Sequence, residues 1–334
     1  MTLRVGVVGL GVGESHVAAF DAHPDCRVTT ICDLSPETLA AVLARHPGKT
    51  AVTDAEAVLD DPDIDVVCIA SYDDTHYSQI RRALLHGKHV LAEKPLCLHE
   101  YETAEIRDIL KANPGLRLTS NLSLRTCPLF TEVRQAAAAG RFGRLFYLEA
   151  DYLWGRRHKL ENGWRGRMPF YSIIHGAGVH MVDLCLWLTG RRPVRVRAWG
   201  SGLACAPGTC AFDDFALLAL EFSDGLMVKI TANGGCVHPH FHRLAVFGSE
   251  GTFLHEPGAQ TWIGREGRTC RETGTDVYPA RERRPELVFS FVDSIVDPGR
   301  PALVSEDDVF AAMSVCHAAE RSRREGGEVP VAYV

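Results

Sequence analysis

The sequence predicts an α/β chain of two domains, a doubly wound parallel sheet followed by an α+β domain built on a mainly antiparallel sheet. Three observations carry that reading. The chain has 334 residues, more than the roughly 250–300 at which a single hydrophobic core stops growing. Its first third alternates short apolar runs with helical patterns, the signature of parallel strands joined by crossover helices. From about Leu124 onward, long alternating runs separated by tight turns take over, which predicts an antiparallel, meander-like sheet. Residues 1–122 are expected to form the first domain and 123–334 the second.

The opening elements are the most informative. Val5, Val7 and Val8 lie in an apolar run that reads as a buried strand, a glycine turn follows at Gly9, Gly11 and Gly13, and a helix begins at Ser15. This order aims backbone N–H groups and the positive end of a helix dipole at one point, which suits a pyrophosphate. A second strand, Val28 to Cys32, then delivers Asp33 about 20 residues after the last glycine, where a carboxylate holds the ribose hydroxyls of a dinucleotide. Asp33 would repel the extra phosphate of NADP, and neither Leu34 nor Ser35 supplies a compensating arginine, so NAD is the expected cofactor. The glycine spacing departs from G-x-G-x-x-G, with Glu14 in the third place. Either the turn is one residue shorter or Gly13 fills a different role.

Further strands are expected at Val66–Ala70, His89–Ala92 and Leu116–Ser120. Helices are expected at Pro36–Arg45, capped by Ser35, and at Asp54–Leu59, Thr75–His86 and Glu100–Ala112. In the second half a helix runs from Pro128 to Ala139, and strands follow from LFYLEADYLW, VRVRAWGSG, FALLALEF, LMVKITANGG, HRLAVFG and GTFLHE. A helix over Gly178–Leu188 interrupts them, and two more close the chain at Pro285–Val296 and Glu306–Glu325.

Composition sets the outer bounds. Hydrophobic residues make up 46% and charged residues 23%, ordinary for a soluble enzyme. A formal net charge of -6 with no long basic stretch points away from nucleic acid. No apolar run reaches the roughly 18 residues that cross a bilayer, and nothing resembles a signal peptide, so a cytoplasmic location without membrane attachment is expected. The eleven cysteines are scattered with no C-x-x-C pair, which predicts reduced thiols. Cys205 and Cys210 are the nearest pair, and neither zinc nor redox chemistry is expected of them.

The segment ending HVLAEKPL places Glu93, Lys94 and Pro95 at the carboxyl end of a parallel strand, where Lys94 is aimed toward the nicotinamide. Together GVVGLGVGESH, the DTH of Asp74 to His76, ALLHGKHVLAEKPL and GVHMVDL closely resemble the Gfo/Idh/MocA oxidoreductases. The likeness extends through R-x-x-P at Arg125 to Pro128, AAAGRFGRL, DDFALLALEFSDG and FGSEGT, essentially the whole chain. It implies a Rossmann domain followed by a domain with a large, largely open antiparallel sheet, and substrate between the nicotinamide and that sheet. It also implies that the open sheet joins copies into a homodimer or homotetramer.

Carried over by position, the lysine of E-K-P is Lys94 and the histidine of D-x-x-x-H is His180, the two expected catalytic residues. The aspartate expected four residues before His180 is Gly176 here, with His175 beside it, which leaves the partner of the imidazole open. The expected cofactor contacts are Gly9, Gly11, Val12, Gly13, Asp33, Ser71, His76, Glu93 and Lys94. The expected substrate contacts are Lys94, Arg125, Trp154, His175 and His180. Trp154 and Trp164 are candidates to stack on a sugar face, with core packing as the competing reading. Arg156, Arg157, His158 and Lys159 form a basic run that reads as a solvated loop or an anion contact. His238, His240 and His242 share one face if extended, which suits hydroxyl binding better than a metal, and no metal site is expected.

The expected activity is therefore hydride transfer between NAD and a secondary alcohol or ketone of a sugar, cyclitol or sugar derivative. Two alternatives stay open: an NAD-recycling lyase or glycosidase that oxidises a sugar transiently, and a non-catalytic NAD-binding regulator.

Overall fold

A computed structural model of the chain describes residues 2–267, 269–272 and 278–334. They form two compact units, one of residues 1–123, 282–310 and 334, the other of 124–281 and 311–333.

The first unit begins with β1 (Leu3–Val8), α1 (Gly13–Asp21), β2 (Cys26–Cys32), α2 (Pro36–Arg45), β3 (Thr50–Val52) and α3 (Glu56–Leu59). It continues through β4 (Val66–Ile69), α4 (His76–Leu85), β5 (His89–Ala92), α5 (Glu100–Ala112) and β6 (Leu118–Ser120). All six strands are parallel, in the order β3-β2-β1-β4-β5-β6. The order reverses at β1, which lies between β2 and β4, and a ligand crevice opens at such a reversal beyond the strands' carboxyl ends. Because helices cover such a sheet, its central strand β4 is apolar throughout, with all four residues buried. In this parallel sheet β3 alone went unforeseen from the sequence. It is a three-residue edge strand whose first two residues are exposed, so it leaves no apolar run to read.

The HGKH stretch is structural. Gly87 takes φ +75 just beyond α4, where a left-handed residue ends a helix. The buried Lys88 ammonium then donates to the carbonyls of Asp61 and Ile64, and burial lowers its pKa.

The second unit contains α6 (Pro128–Ala138), β7 (Leu145–Leu153), α7 (His158–Glu161), α8 (Val179–Thr189), β8 (Arg195–Ser201), β9 (Phe215–Glu221) and β10 (Met227–Asn233). After them come β11 (Phe241–Gly248), β12 (Gly251–Glu256), β13 (Ala259–Gly264) and β14 (Thr269–Glu272). The next helix, α9 (Pro285–Val296), belongs to the first unit, where it packs on α1. The chain closes with α10 (Glu306–Glu325) and β15 (Glu328–Pro330).

The sheet of the second unit has nine strands in the order β14-β13-β12-β11-β7-β10-β9-β8-β15. It corrects the simple meander. β8-β9-β10 and β11-β12-β13-β14 are each meanders, but β7 lies between them, parallel to β10 and antiparallel to β11. The link from β10 to β11 must therefore cross the end of β7, and it does so at Gly155. That residue has φ +59, and a Cβ on it would meet the His238 carbonyl oxygen at 2.0 Å. Leu148, Ala150 and Tyr152 of β7 stand in register with Val246, Leu244 and His242 of β11, all buried. α8 packs on β7 and β10, and all ten of its residues from Val179 to Leu188 are buried.

One cysteine expectation fails. Cys205 and Cys210 are disulfide-bonded across a short loop, with Cα atoms 6.0 Å apart. A pairing of two thiols five residues apart depends on the turn between them, which spacing alone does not reveal. Eight of the other cysteines are free, seven of them buried.

Candidate active site

The three turn glycines of the first unit have three separate jobs. Gly9 has φ +85, and a Cβ there would lie 2.4 Å from the Ala70 carbonyl oxygen. Gly11 faces open space, with nothing within 4 Å of an added Cβ. At Gly13 the added atom would sit 3.2 Å from both the Ala70 Cβ and the Val7 Cγ1. A tight turn, a close approach to pyrophosphate and close helix–strand packing are what a dinucleotide loop requires of its glycines. Gly13 thus performs the third task one residue early, while Glu14 is held by Arg45 at 2.5 and 2.9 Å.

α1 starts at Gly13 with no side-chain cap on its first turn. Such a helix start offers N–H groups and a positive dipole end to an anion. Across the turn, Asp33 Oδ2 accepts the Leu10 N–H at 2.8 Å and its Oδ1 accepts the Ser35 N–H at 2.9 Å. Each carboxylate oxygen has a second lone pair for a ribose hydroxyl. These residues fit NAD.

The segment after β5 is held on both sides. Glu93 is buried; its Oε1 lies 2.9 Å from His16 Nε2 and 2.6 Å from Asn121 Nδ2. Burial alone would raise the Glu93 pKa, but the His16 hydrogen bond and charge, the Lys94 charge and the Asn121 amide bring it down to about 2. Beyond Lys94, the Pro95 carbonyl lies 2.7 Å from His76 Nδ1, and His76 Nε2 lies 3.2 Å from the Ser71 carbonyl. Ser71 Oγ donates to Gln79 at 2.7 Å. His76 and Glu93, expected as cofactor contacts, are therefore buried supports of the loops that flank Lys94. Val12 lies on the glycine turn, 55% exposed.

The second unit supplies a wall of rings. His180 stands in the first turn of α8 with its ring edge-on to Tyr152, centroids 5.8 Å apart. Tyr152 Oη lies 2.8 Å from His240 Nε2, and the His242 ring stacks on Tyr152 at 4.5 Å. Tyr278 Oη lies 2.8 Å from both the backbone nitrogen and the Nδ1 of His242. Of the HPHFH histidines, His240 and His242 enter this wall, whereas His238 Nδ1 lies 2.7 Å from the Pro239 carbonyl. Among the described residues no cluster of His, Cys, Asp and Glu is arranged to hold a metal ion.

Three expected substrate contacts have other work. Arg125 is buried and bidentate to Asp183, at 2.6 and 3.1 Å, so it fixes the start of α8. His175 is buried with its Nε2 3.1 Å from His317 Nδ1. Trp154 is buried beneath the Arg165 guanidinium, which is core packing rather than an open stacking face. In the basic run, Arg157 donates to the Ala204 carbonyl at 2.9 Å and pairs with Glu161 at 3.3 Å.

The sequence reading missed His16, Asn121, Tyr152 and Tyr278. His16 stands three residues beyond Gly13, and Asn121 directly follows β6, both at the ligand end of the sheet. Those positions were the available signal. Tyr152 shows only the strand alternation common to core residues, and Tyr278 lies far along the chain from its partner.

Comparison with known proteins follows the same division. The family described as "Oxidoreductase family, NAD-binding Rossmann fold" (GFO_IDH_MocA) matches residues 3–119, and the GFO/IDH/MocA C-terminal domain matches 130–254. Inositol 2-dehydrogenase 2 of Saccharopolyspora erythraea is 28% identical, covering 99% of this chain and 96% of that protein. Inositol 2-dehydrogenase of Rhizobium meliloti is 27% identical, covering 99% and 100%. Among solved structures, myo-inositol 2-dehydrogenase from Lactobacillus plantarum superposes with a TM-score of 0.85 at 22% identity, covering 99% and 100%. Levoglucosan dehydrogenase in complex with NADH gives 0.87 at 20% identity, covering 100% of both chains.

Proposed function

This chain belongs to the GFO/IDH/MocA oxidoreductase family, and from that premise we propose that it is an NAD-dependent dehydrogenase of a cyclitol or sugar. The observation that carries the reading is the nucleotide cradle: Gly9, Gly11 and Gly13 in three distinct roles, facing a backbone-anchored Asp33. Asp33 favours NAD over NADP, because a 2′-phosphate would meet its negative charge. Relatives named as inositol 2-dehydrogenases, along nearly the full length of the chain, support a polyhydroxylated ring as substrate.

When bound, NAD accepts or returns the hydride. The chain's own residues handle the proton and the hydroxyls. We assign Lys94 and His180 to the reacting oxygen, one as the base that takes the hydroxyl proton and the other as its hydrogen-bonding partner. Glu93 supports Lys94 by holding the segment that carries it. Tyr152, His240 and His242 form a hydrogen-bonding, aromatic wall suited to neighbouring hydroxyls and a ring face. Residues 1–122 are assigned to the cofactor, and residues 123–334 to substrate and self-association.

The self-association we propose is a homodimer or homotetramer through the nine-stranded sheet. The face opposite Tyr152 supports it, with a Tyr147–Phe247 ring stack and the 46% exposed Trp199. Light scattering on the purified chain tests it. Among the described residues no helix is long and apolar enough to cross a membrane. A cytoplasmic location is part of the proposal, and cell fractionation tests it.

The deciding experiment is NAD reduction over a panel of inositols, sugars and sugar derivatives at several pH values. Net NADH is expected with at least one polyol, and Lys94→Ala and His180→Ala each lower turnover by about 100-fold or more. Turnover within severalfold of wild type in both variants would remove them from the chemistry. A substrate consumed with no NADH formed would point instead to a recycling lyase.

A further inference from the structure

Tyr278 holds His242 twice through one oxygen. Its Oη lies 2.8 Å from the His242 backbone nitrogen and 2.8 Å from the His242 Nδ1. A backbone N–H only donates, so it occupies one lone pair of the phenol oxygen. The contact with Nδ1 then has two forms: the phenol O–H donates to an unprotonated Nδ1, or a protonated Nδ1 donates to the second lone pair of the oxygen. The second form sends the phenol proton elsewhere.

The surroundings of Tyr278 rule that form out. The residue is 8% exposed, and its ring meets those of Phe130, Phe241 and His255 with centroids 5.9, 5.2 and 4.6 Å apart. Among the described residues Tyr278 Oη makes no hydrogen bond beyond the two to His242. His255 is the polar member of the cage, and neither of its ring nitrogens has a hydrogen-bond partner among them. A phenol O–H turned away from Nδ1 would be a buried donor with nothing to receive it, a costly arrangement. Burial raises the Tyr278 pKa, so the phenol keeps its proton at neutral pH, and it lowers that of His255 to about 4. The O–H therefore donates to Nδ1, and the proton of the His242 ring sits on Nε2.

We propose that Tyr278 is a positioning residue that locks His242 as a neutral ring with its N–H at Nε2, so that this part of the wall donates to a substrate oxygen and turns away an ammonium group. The inference deepens the dehydrogenase reading and rests on the assignment of Tyr152, His240 and His242 to the polyol. The His242 ring stands within that wall, with centroids 4.5 Å from Tyr152, 4.8 Å from His240 and 6.3 Å from His180. A neutral imidazole has one donor and one acceptor, and Tyr278 takes the acceptor. What His242 offers at its other nitrogen is thus a donor. A hydroxyl or carbonyl oxygen accepts from it, whereas a protonated amine, which only donates, would set donor against donor.

The test uses the full chain and two variants. Tyr278→Phe keeps the ring among Phe130, Phe241 and His255 but removes the oxygen, and His242→Asn identifies the His242 signals by their loss. Nitrogen NMR of histidine-labelled protein separates a protonated from an unprotonated ring nitrogen and needs neither cofactor nor substrate. In the wild type His242 is expected to show an unprotonated Nδ1 and a protonated Nε2. In Tyr278→Phe the two signals should move toward each other as both tautomers become populated. Selection is read with the best polyol of the panel and its amino-deoxy analogues, each with one hydroxyl replaced by an amine. The wild type should prefer the polyol over at least one analogue by about 100-fold or more in kcat/KM, and that ratio should fall about tenfold in Tyr278→Phe, with the Kd for NAD within about twofold. A proton on Nδ1 in the wild type, unchanged ring signals in Tyr278→Phe, or a ratio that does not fall overturns the proposal. Should Tyr278→Phe not fold, the wild-type spectrum and the wild-type ratio decide it. If no polyol supports NAD reduction, the dehydrogenase reading fails, and the spectra still decide whether Tyr278 sets the proton of His242.

Discussion

His16 Nε2 lies 2.9 Å from Glu93 Oε1, a buried bond that joins the cofactor-binding helix α1 to the residue preceding Lys94. Asn121 Nδ2 reaches the same oxygen at 2.6 Å. The lysine's backbone is thereby tied to the element that opens on the glycine turn.

Acid stability should register this carboxylate. Glu93 titrates at about 2 in the fold against an ordinary 4.5. A depressed pKa contributes stability that is complete above the unfolded value and is lost as pH falls through the folded one. The contribution, on the order of 3 kcal/mol, should vanish between pH 4.5 and about 2. Denaturant titrations of wild type and Glu93→Gln across that window are expected to show a shallower loss in the variant. Parallel curves would mean that Glu93 is not the group responsible.

Gly9 and Gly11 should respond oppositely to the same substitution. Gly9→Ala forces a side chain into φ +85 and against the Ala70 carbonyl, costing on the order of 1–3 kcal/mol of folding stability. Gly11→Ala meets nothing in the protein, so its unfolding midpoint should stay at the wild-type value. Its new methyl occupies the cradle, however, and the Kd for NAD measured by calorimetry should rise about tenfold or more, roughly 1.4 kcal/mol. Unchanged NAD affinity in Gly11→Ala would place the pyrophosphate elsewhere.

Cofactor preference tests Asp33. Asp33→Asn keeps a carbonyl oxygen for the Leu10 or Ser35 N–H but removes the charge that repels a 2′-phosphate. The ratio of kcat/KM for NADP to that for NAD should rise by about tenfold or more, about 1.4 kcal/mol of relative preference. A ratio that does not move would assign cofactor selection to another residue.

Arg125 and Asp183 form a buried pair, and removing one partner leaves an uncompensated charge. Arg125→Ala should therefore destabilise the protein by about 3–5 kcal/mol, whereas Arg125→Met with Asp183→Leu should recover most of that loss. Chemical denaturation followed by far-UV dichroism measures both. A stable Arg125→Ala whose only defect is a higher KM for the polyol would restore the substrate-binding role read from the sequence.

Much of the fold was legible because local signals carried it. The parallel strands β1, β2, β4, β5 and β6 announced themselves as apolar runs ending in turn residues, and α2, α5 and α9 occupy the ranges their patterns predicted. β3, β13, β14 and β15 were not legible; β3 and β15 are three-residue strands with two exposed residues each, which leaves no apolar run to read. The placement of β7 between β11 and β10 was not legible either, because neither neighbour is adjacent to it in sequence. In the site, residues defined by a local motif stood out, while those defined by a distant partner did not.

Glycine spacing, an acidic residue at the end of the second strand and a lysine at the end of the fifth are properties of consecutive residues. The sequence by itself therefore determined the nucleotide-binding architecture and the family, and it raised the expectation of NAD that Asp33→Asn tests. Side-chain partnership across the fold is a matter of distance between elements far apart in the chain. Only the tertiary structure showed that Arg125 belongs to Asp183, His175 to His317 and Glu93 to His16, and that the space at Gly176 is filled by Tyr171. A polar residue type states which hydrogen bonds it can make, and burial beside one particular neighbour decides which it does make.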